Sequence, residues 1–450
     1  MTLPAPAAAG GAVATDLTTT DVAAPTADRP TAEAPFAPAP VADPGGVDPG
    51  GVEAGGVEAG GGGGAGAGGT PGAVMAGGAA GGSAGAGAPG ARGVVAPGFE
   101  PVRVAFERVL AEAAGTGAAV AAWHDGTWVV DLWGGTADAA GTARWGRDSI
   151  VMPYSVTKPF AAVCALLLVE RGRLDLDSRV DRYWPGFAAP ATVRHVLAHQ
   201  AGLVALDRPL PTAALFDWDL ICAVLAAQQP LWTPGTAHGE SALFYGHLLG
   251  ELVRRVDGRR LATFLREEIC EPLGLDFTIG LTPEQQARAV ELTGLDAAFR
   301  LSAADGRPEL YKRAIGNPPG VQDGAVANSA ALRAAEVPAV NGHGTARAVA
   351  GLYAALLSGQ LLGPSLLAEA TTAQCSGPDR VMGSLNAWGL GFGVDEDGFG
   401  MGGLGGSLGW ASRSGRYAYA FVTGSMGDHA RSDAVENVLR DCLSLPPLPE

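Results

Sequence analysis

Lysine is nearly absent from this chain. Of its 30 basic residues, two are lysines, Lys158 and Lys312. Basic residues are outnumbered by 46 acidic ones, for a net charge of −16. That excess argues against a nucleic-acid partner, because gripping a phosphate backbone takes clustered Lys and Arg. Cysteine is equally sparse. Cys164, Cys222, Cys270, Cys375 and Cys442 are scattered, odd in number and never paired as Cys-x-x-Cys. They make neither a disulfide framework nor a zinc site, and no metal is expected. Cys164, inside the apolar run 161–169, reads as a small buried hydrophobe. No folded stretch approaches 18 uncharged apolar residues, so no membrane partner is expected. Residues 2–15 lack the cationic start and apolar run of an export signal, which points to a cytoplasmic protein. Aromatics are missing from the first part of the chain. Residues 1–97 hold one, Phe36, among Ala, Gly, Pro, Val, Thr and acidic residues. Such a segment buries too little apolar surface to offset the entropy of ordering it, and a disordered tail is expected over 1–97.

What is present begins near Gly98. Pro101–Ala114 has helical periodicity through Val102, Phe106, Val109 and Leu110. Ala118–Trp123 and Trp128–Trp133 flank Asp125-Gly126, the signature of a β-hairpin. Ser155–Glu170 is a helix apolar on nearly every face, so it belongs inside a large core. Further helices are expected at Thr192–Ala198, Phe216–Gln228, Tyr245–Val256, Leu261–Ile269 and Gly344–Gly359. Short strands are expected at Trp388–Gly393, Ser407–Ala411 and Tyr417–Thr423, before a last helix at Ala434–Leu443. The order implies an α+β fold. Its antiparallel sheet is assembled from both chain ends (about 98–173 and 337–450), with flanking helices and a helical insert (about 174–336) beside it. The site is expected where the two parts meet.

Acyl transfer through serine needs a nucleophile, a group to take its proton, and donors for the developing oxyanion. Ser155-Val-Thr-Lys158 places a serine and a lysine three apart at a helix start, hence on one face. Free backbone N–H groups and the helix dipole favour negative charge there. A buried lysine can lose its proton, whereas arginine stays charged, so a lysine kept in an arginine-rich chain is informative. Gly405-Gly406-Ser407-Leu408-Gly409 matches the Gly-x-Ser-x-Gly elbow, but strand, turn and strand follow it rather than a helix. Asp428, His429 and Asp433 leave little room for the rest of a triad, and Ser407 is set aside. His195 and His199 are four apart, yet Val196 stands where a zinc protease carries glutamate. Together with His343, they read as structural residues.

The region from Pro101 onward resembles the class C β-lactamase and serine-esterase family, with its penicillin-binding-protein-like fold. The resemblance rests on Ser155–Lys158, Arg173–Val180, Arg194–Leu203, Pro234–Thr236, Leu248–Gly250, Glu271–Leu275, Asn341–Arg347 and Gly403–Gly409, in the family's order. It implies a β-lactamase/transpeptidase-like fold, a covalent acyl-enzyme on Ser155, Lys158 as its base, and no cofactor. It also implies an oxyanion hole made by the amides of Ser155 and Leu404. Two departures stand out. The family's second motif carries a tyrosine where this chain has Glu240 (or Ser241, with a shift of one), and Tyr245 reads as helix packing. The third motif begins with Lys or His, and here it reads Met401-Gly402-Gly403. A carboxylate beside the lysine can serve as a base or hold the lysine protonated.

The expectation is a serine hydrolase of small esters. Ser155, Lys158 and Glu240 are its catalytic residues, and Ser241, Met401, Gly403 and Trp410 its substrate-binding residues. A transacylase of secondary metabolism and a catalytically impaired pseudoenzyme with a binding role are the alternatives.

Overall fold

The computed structural model describes residues 90–112 and 115–449. Most of the tail expected over 1–97 lies outside them. Its end needs correction, because Arg92–Val95 form an edge strand, β1. The other strands are β2 (Ala118–His124), β3 (Thr127–Gly134), β4 (Phe277–Ile279), β5 (Gly342–Gly344), β6 (Cys375–Pro378), β7 (Leu385–Trp388), β8 (Gly393–Val394), β9 (Gly398–Gly402), β10 (Leu408–Ser412) and β11 (Tyr417–Thr423). Six helices frame the account: α1 (Glu100–Glu112), α2 (Lys158–Glu170), α3 (Tyr245–Asp257), α4 (Ala297–Ala304), α5 (Ala346–Leu357) and α6 (Ala430–Cys442).

A nine-stranded antiparallel sheet runs in the order β1-β3-β2-β11-β10-β9-β8-β7-β6. The two chain ends meet at β2 and β11, which pair from Ala118↔Thr423 to His124↔Tyr417. The β2–β3 hairpin turns at Asp125 (φ 46) and Gly126 (φ 91), the left-handed pair that a two-residue hairpin requires.

The period of two in β11 sorts its side chains between two cores. Tyr417, Tyr419 and Phe421 pack with Val102 and Phe106 of α1 and Val435 and Leu439 of α6. Ala418, Ala420 and Val422 face the main core, where α5 lies. Alanine on that face lets the helix approach the sheet closely. α2 runs through the main core with Phe160 to Leu168 all buried, and Cys164 is fully covered.

Residues 174–336 carry most of the helices, but they are not purely helical. β4 lies among them and pairs with β5. Three expected boundaries also moved. The strand placed at Trp388–Gly393 is two strands, β7 and β8, the last helix begins at Ala430, and Arg266–Cys270 form a π-helical turn.

Candidate active site

The chain reaches the site through Tyr154, which adopts φ 49, a left-handed conformation that costs a tyrosine about 1–2 kcal/mol. Its buried ring and a 2.8 Å hydrogen bond from its hydroxyl to the Val321 carbonyl hold it there. Tyr154–Thr157 then form a 3₁₀ turn that runs directly into α2. At three residues per turn, positions i and i+3 eclipse. Ser155 is therefore stacked beneath Lys158. The Lys158 Nζ donates to Ser155 Oγ at 2.7 Å and to the Ala339 carbonyl at 3.2 Å. Pro159 falls in the first turn of α2, where its missing N–H costs nothing.

Glu240 completes a triangle. Its Oε1 lies 3.0 Å from Lys158 Nζ and accepts from Ser155 Oγ at 3.3 Å. Lys158 has no solvent exposure, and Glu240 is 6 % exposed. Burial pushes the Lys158 pKa below its ordinary value, and the Glu240 charge and hydrogen bond push it back up. A buried amine and a carboxylate in contact with one hydroxyl can store and return a proton.

Glu240 is held by a residue that sequence reasoning missed. The Asp379 carboxylate, 1 % exposed, accepts from the Glu240 amide at 3.0 Å, the Val381 and Met382 amides at 2.8 and 2.7 Å, and Trp388 Nε1 at 3.1 Å. The Pro378-Asp379 turn signal was visible, but its role depends on a contact 139 positions away in sequence.

A cavity of about 810 Å³ opens above Ser155. Ser155, Glu240, Met401, Gly403, Leu404 and Trp410 line it. Among the described residues, the amides of Ser155 and Leu404 hold no hydrogen bond, so both remain available to an oxyanion. Gly403 does more than line the wall. A Cβ there would stand 2.1 Å from the Pro153 carbonyl oxygen, so glycine lets the end of β9 lie against the turn that carries Ser155.

Ser241 is a correction. It does not line the cavity, being buried with its hydroxyl on the Leu203 carbonyl at 3.0 Å and its amide on His199 Nδ1 at 3.1 Å. Those two hydrogen bonds hold it inward, in a structural position. His199 stacks between Tyr245 and Trp388, His195 caps its short helix, and His343 bonds the Asn341 carbonyl. Tyr245 donates to the Leu197 carbonyl, away from the cavity. Ser407 is buried at the β9–β10 turn, where its hydroxyl accepts from the Thr423 amide at 3.2 Å.

The chain matches the Beta-lactamase family model over residues 102–440. It is 34% identical to Esterase/beta-lactamase LipL of Mycobacterium tuberculosis over 382 residues, 77% of this chain and 87% of that protein. It is 31% identical over 194 residues to the monacolin J acid methylbutanoyltransferase of Aspergillus terreus, 36% of this chain and 46% of that one. The solved structure of a family VIII carboxylesterase superposes with a TM-score of 0.72 at 35% identity, covering 78% of this chain and 99% of that one. With its antiparallel sheet, flanking helices and serine–lysine turn, the chain has the β-lactamase/transpeptidase-like fold and belongs to the β-lactamase family.

Proposed function

We propose that this chain is a serine hydrolase of uncharged carboxylic esters that works through an acyl-enzyme on Ser155. The observation that carries this reading is the Ser155–Lys158–Glu240 triangle at the floor of a cavity with free amides.

In the first half-reaction the Ser155 Oγ–H bond breaks as Oγ bonds to the substrate carbonyl carbon. The proton moves to Lys158 Nζ, which lies 2.7 Å from Oγ and accepts it as the neutral amine. Burial favours the neutral amine that this step requires. Glu240 Oε1 touches both atoms and steadies the ammonium as it forms. The carbonyl oxygen gains negative charge against the amides of Ser155 and Leu404. Collapse of this intermediate breaks the bond to the alcohol oxygen, which takes the proton back from the Lys158–Glu240 pair. Water then enters, gives its proton to the same pair and releases the acid, and Ser155 recovers its hydrogen.

Met401 offers no charge to a substrate carboxylate, and the carboxylates of Glu240, Asp395 and Asp428 line the same cavity. Both features favour an uncharged ester over an anionic β-lactam. An alcohol in place of water would give transacylation by the same steps, and the likeness to an acyltransferase supports keeping that variant. p-Nitrophenyl butyrate tests the reading. Wild-type protein should release p-nitrophenol, and Ser155→Ala should lose about 10³-fold or more in kcat/KM. Equal rates in the two proteins would exclude Ser155 as the nucleophile.

A further inference from the structure

The cavity wall along β9 is built from Met401, Gly402, Gly403 and Leu404, with Trp410 beside it. These offer a substrate little beyond apolar surface and backbone. His429 joins this wall from the N-cap position of α6. The Cε1–Nε2 side of its ring lies against Gly402, where a Cβ would stand 3.0 Å from Cε1 and 3.1 Å from Nε2. Glycine at 402 therefore makes room for the imidazole.

The loop that carries His429 is fixed to the turn that carries Leu404. Arg431 Nη2 donates to the Gly405 carbonyl at 3.3 Å and the Ser425 carbonyl at 2.6 Å, and the Gly427 amide donates to the Gly405 carbonyl at 3.1 Å. The backbone on either side of the imidazole is thus tied to that turn. Yet among the described residues the ring nitrogens hold no hydrogen bond. Partial burial lowers its pKa, against the opposing charges of Asp433 and Asp428 and with the help of Arg431, so at neutral pH the ring carries one donor and one acceptor.

We propose that His429 is a substrate-contacting residue that selects esters carrying a second, uncharged oxygen, a hydroxyl or carbonyl, beyond the scissile bond. The proposal rests on the ester-hydrolase reading. Such an oxygen can pair with either ring nitrogen, and among the described residues no other imidazole lines the cavity. A carboxylate is the poorer fit. The Arg307 guanidinium is turned to the carbonyls of Ala303 and Met382, and Asp395 and Asp428 stand nearby.

The test uses two matched ester pairs: ethyl butyrate against ethyl 3-hydroxybutyrate, and propyl butyrate against glycerol monobutyrate. The ratio of kcat/KM within each pair is measured for wild-type protein, His429→Ala and His429→Gln. In at least one pair, His429→Ala should reduce the preference for the hydroxylated ester about tenfold, the worth of one hydrogen bond. His429→Gln, which keeps a donor and an acceptor, should retain part of it. Ratios that stay within about twofold of wild type in both pairs and both variants would overturn the proposal, whatever happens to the absolute rates. Fluorophosphonate labelling of Ser155 in the same preparations separates the two levels. Labelled Ser155 with unmoved ratios removes the role of His429 alone, and unlabelled wild-type Ser155 removes the hydrolase reading and this proposal with it.

Discussion

At position 158 a side chain with no solvent exposure touches Ser155 Oγ, the Glu240 carboxylate and a backbone carbonyl. Arginine would fill a similar volume and keep the charge, but it does not release a proton in proteins. Lys158→Arg should therefore lower kcat/KM by about 10²–10⁴-fold, the usual worth of a positioned general base, and steady-state assays on p-nitrophenyl butyrate read this directly. Glu240 has a different signature. Its charge and hydrogen bond raise the Lys158 pKa against the larger, downward effect of burial. Glu240→Gln removes the upward push, so the amine form persists to lower pH. The acid limb of the pH–kcat/KM profile should move towards lower pH, with kcat reduced about 10- to 100-fold as proton return slows. An acid limb that moves upward would mean that Lys158 does not set it.

At the scale of elements, β9 decides how the Leu404 amide meets the turn that carries Ser155. Gly403→Ala would drive a methyl group to 2.1 Å from the Pro153 carbonyl oxygen, so the strand end or the serine turn must shift. A misplacement of about 1 Å near the reacting atoms costs about 10²-fold in rate, and a loss of that order in kcat/KM is expected in protein that still folds. Helix α6 holds a second electrostatic device. Glu436, 1 % exposed, accepts from the Tyr417 hydroxyl at 2.6 Å, and burial pushes its pKa up to about 7 despite Tyr417 and Arg440, with Asp433 and Asp397 adding to the rise. The folded state therefore binds this proton more tightly than the unfolded chain does. Its stabilising contribution is complete below the ordinary carboxyl value of 4.5 and is lost as pH rises through about 7. Glu436→Gln, neutral at every pH, should gain stability over wild type on the order of 1–3 kcal/mol at pH 8, and far less at pH 5, in urea unfolding. These elements were unequally legible in sequence. The alternation Tyr-Ala-Tyr-Ala-Phe-Val in β11 announces a strand, and the Asp-Gly turn a hairpin. Gly-Phe-Gly-Met-Gly in β9 announces nothing, because glycine is disfavoured in strands and is used here for close approach. β1 was hidden in a tail-like composition, and Ser241 was assigned to the cavity because spacing alone does not tell which of two neighbours faces inward.

Across the whole molecule, the sheet joins residues from both chain ends and α2 ties it to the helices of the middle segment. α2 packs on α3 through a core continuous with the sheet face. Both parts should therefore unfold together. Leu249→Ala in α3 removes a fully buried side chain and should cost about 2–5 kcal/mol. It should shift the same single transition that Glu436→Gln shifts at the far side of the sheet, whether read by tryptophan fluorescence or by circular dichroism. Two separate transitions would show that the parts fold independently. The Ser155–Lys158 pair was legible because a 3₁₀ turn obliges residues three apart to meet. Its setting by Asp379 was not, since that residue arrives from a distant segment.

The serine's reactivity is the central claim, and covalent labelling tests it most directly. Folded protein is treated with a fluorophosphonate, digested and mapped by mass spectrometry, beside Lys158→Arg. The account predicts one adduct, on Ser155, formed at least about 10²-fold more slowly in the variant. An unlabelled Ser155, an adduct on Ser407, or equal labelling rates in both proteins would contradict it.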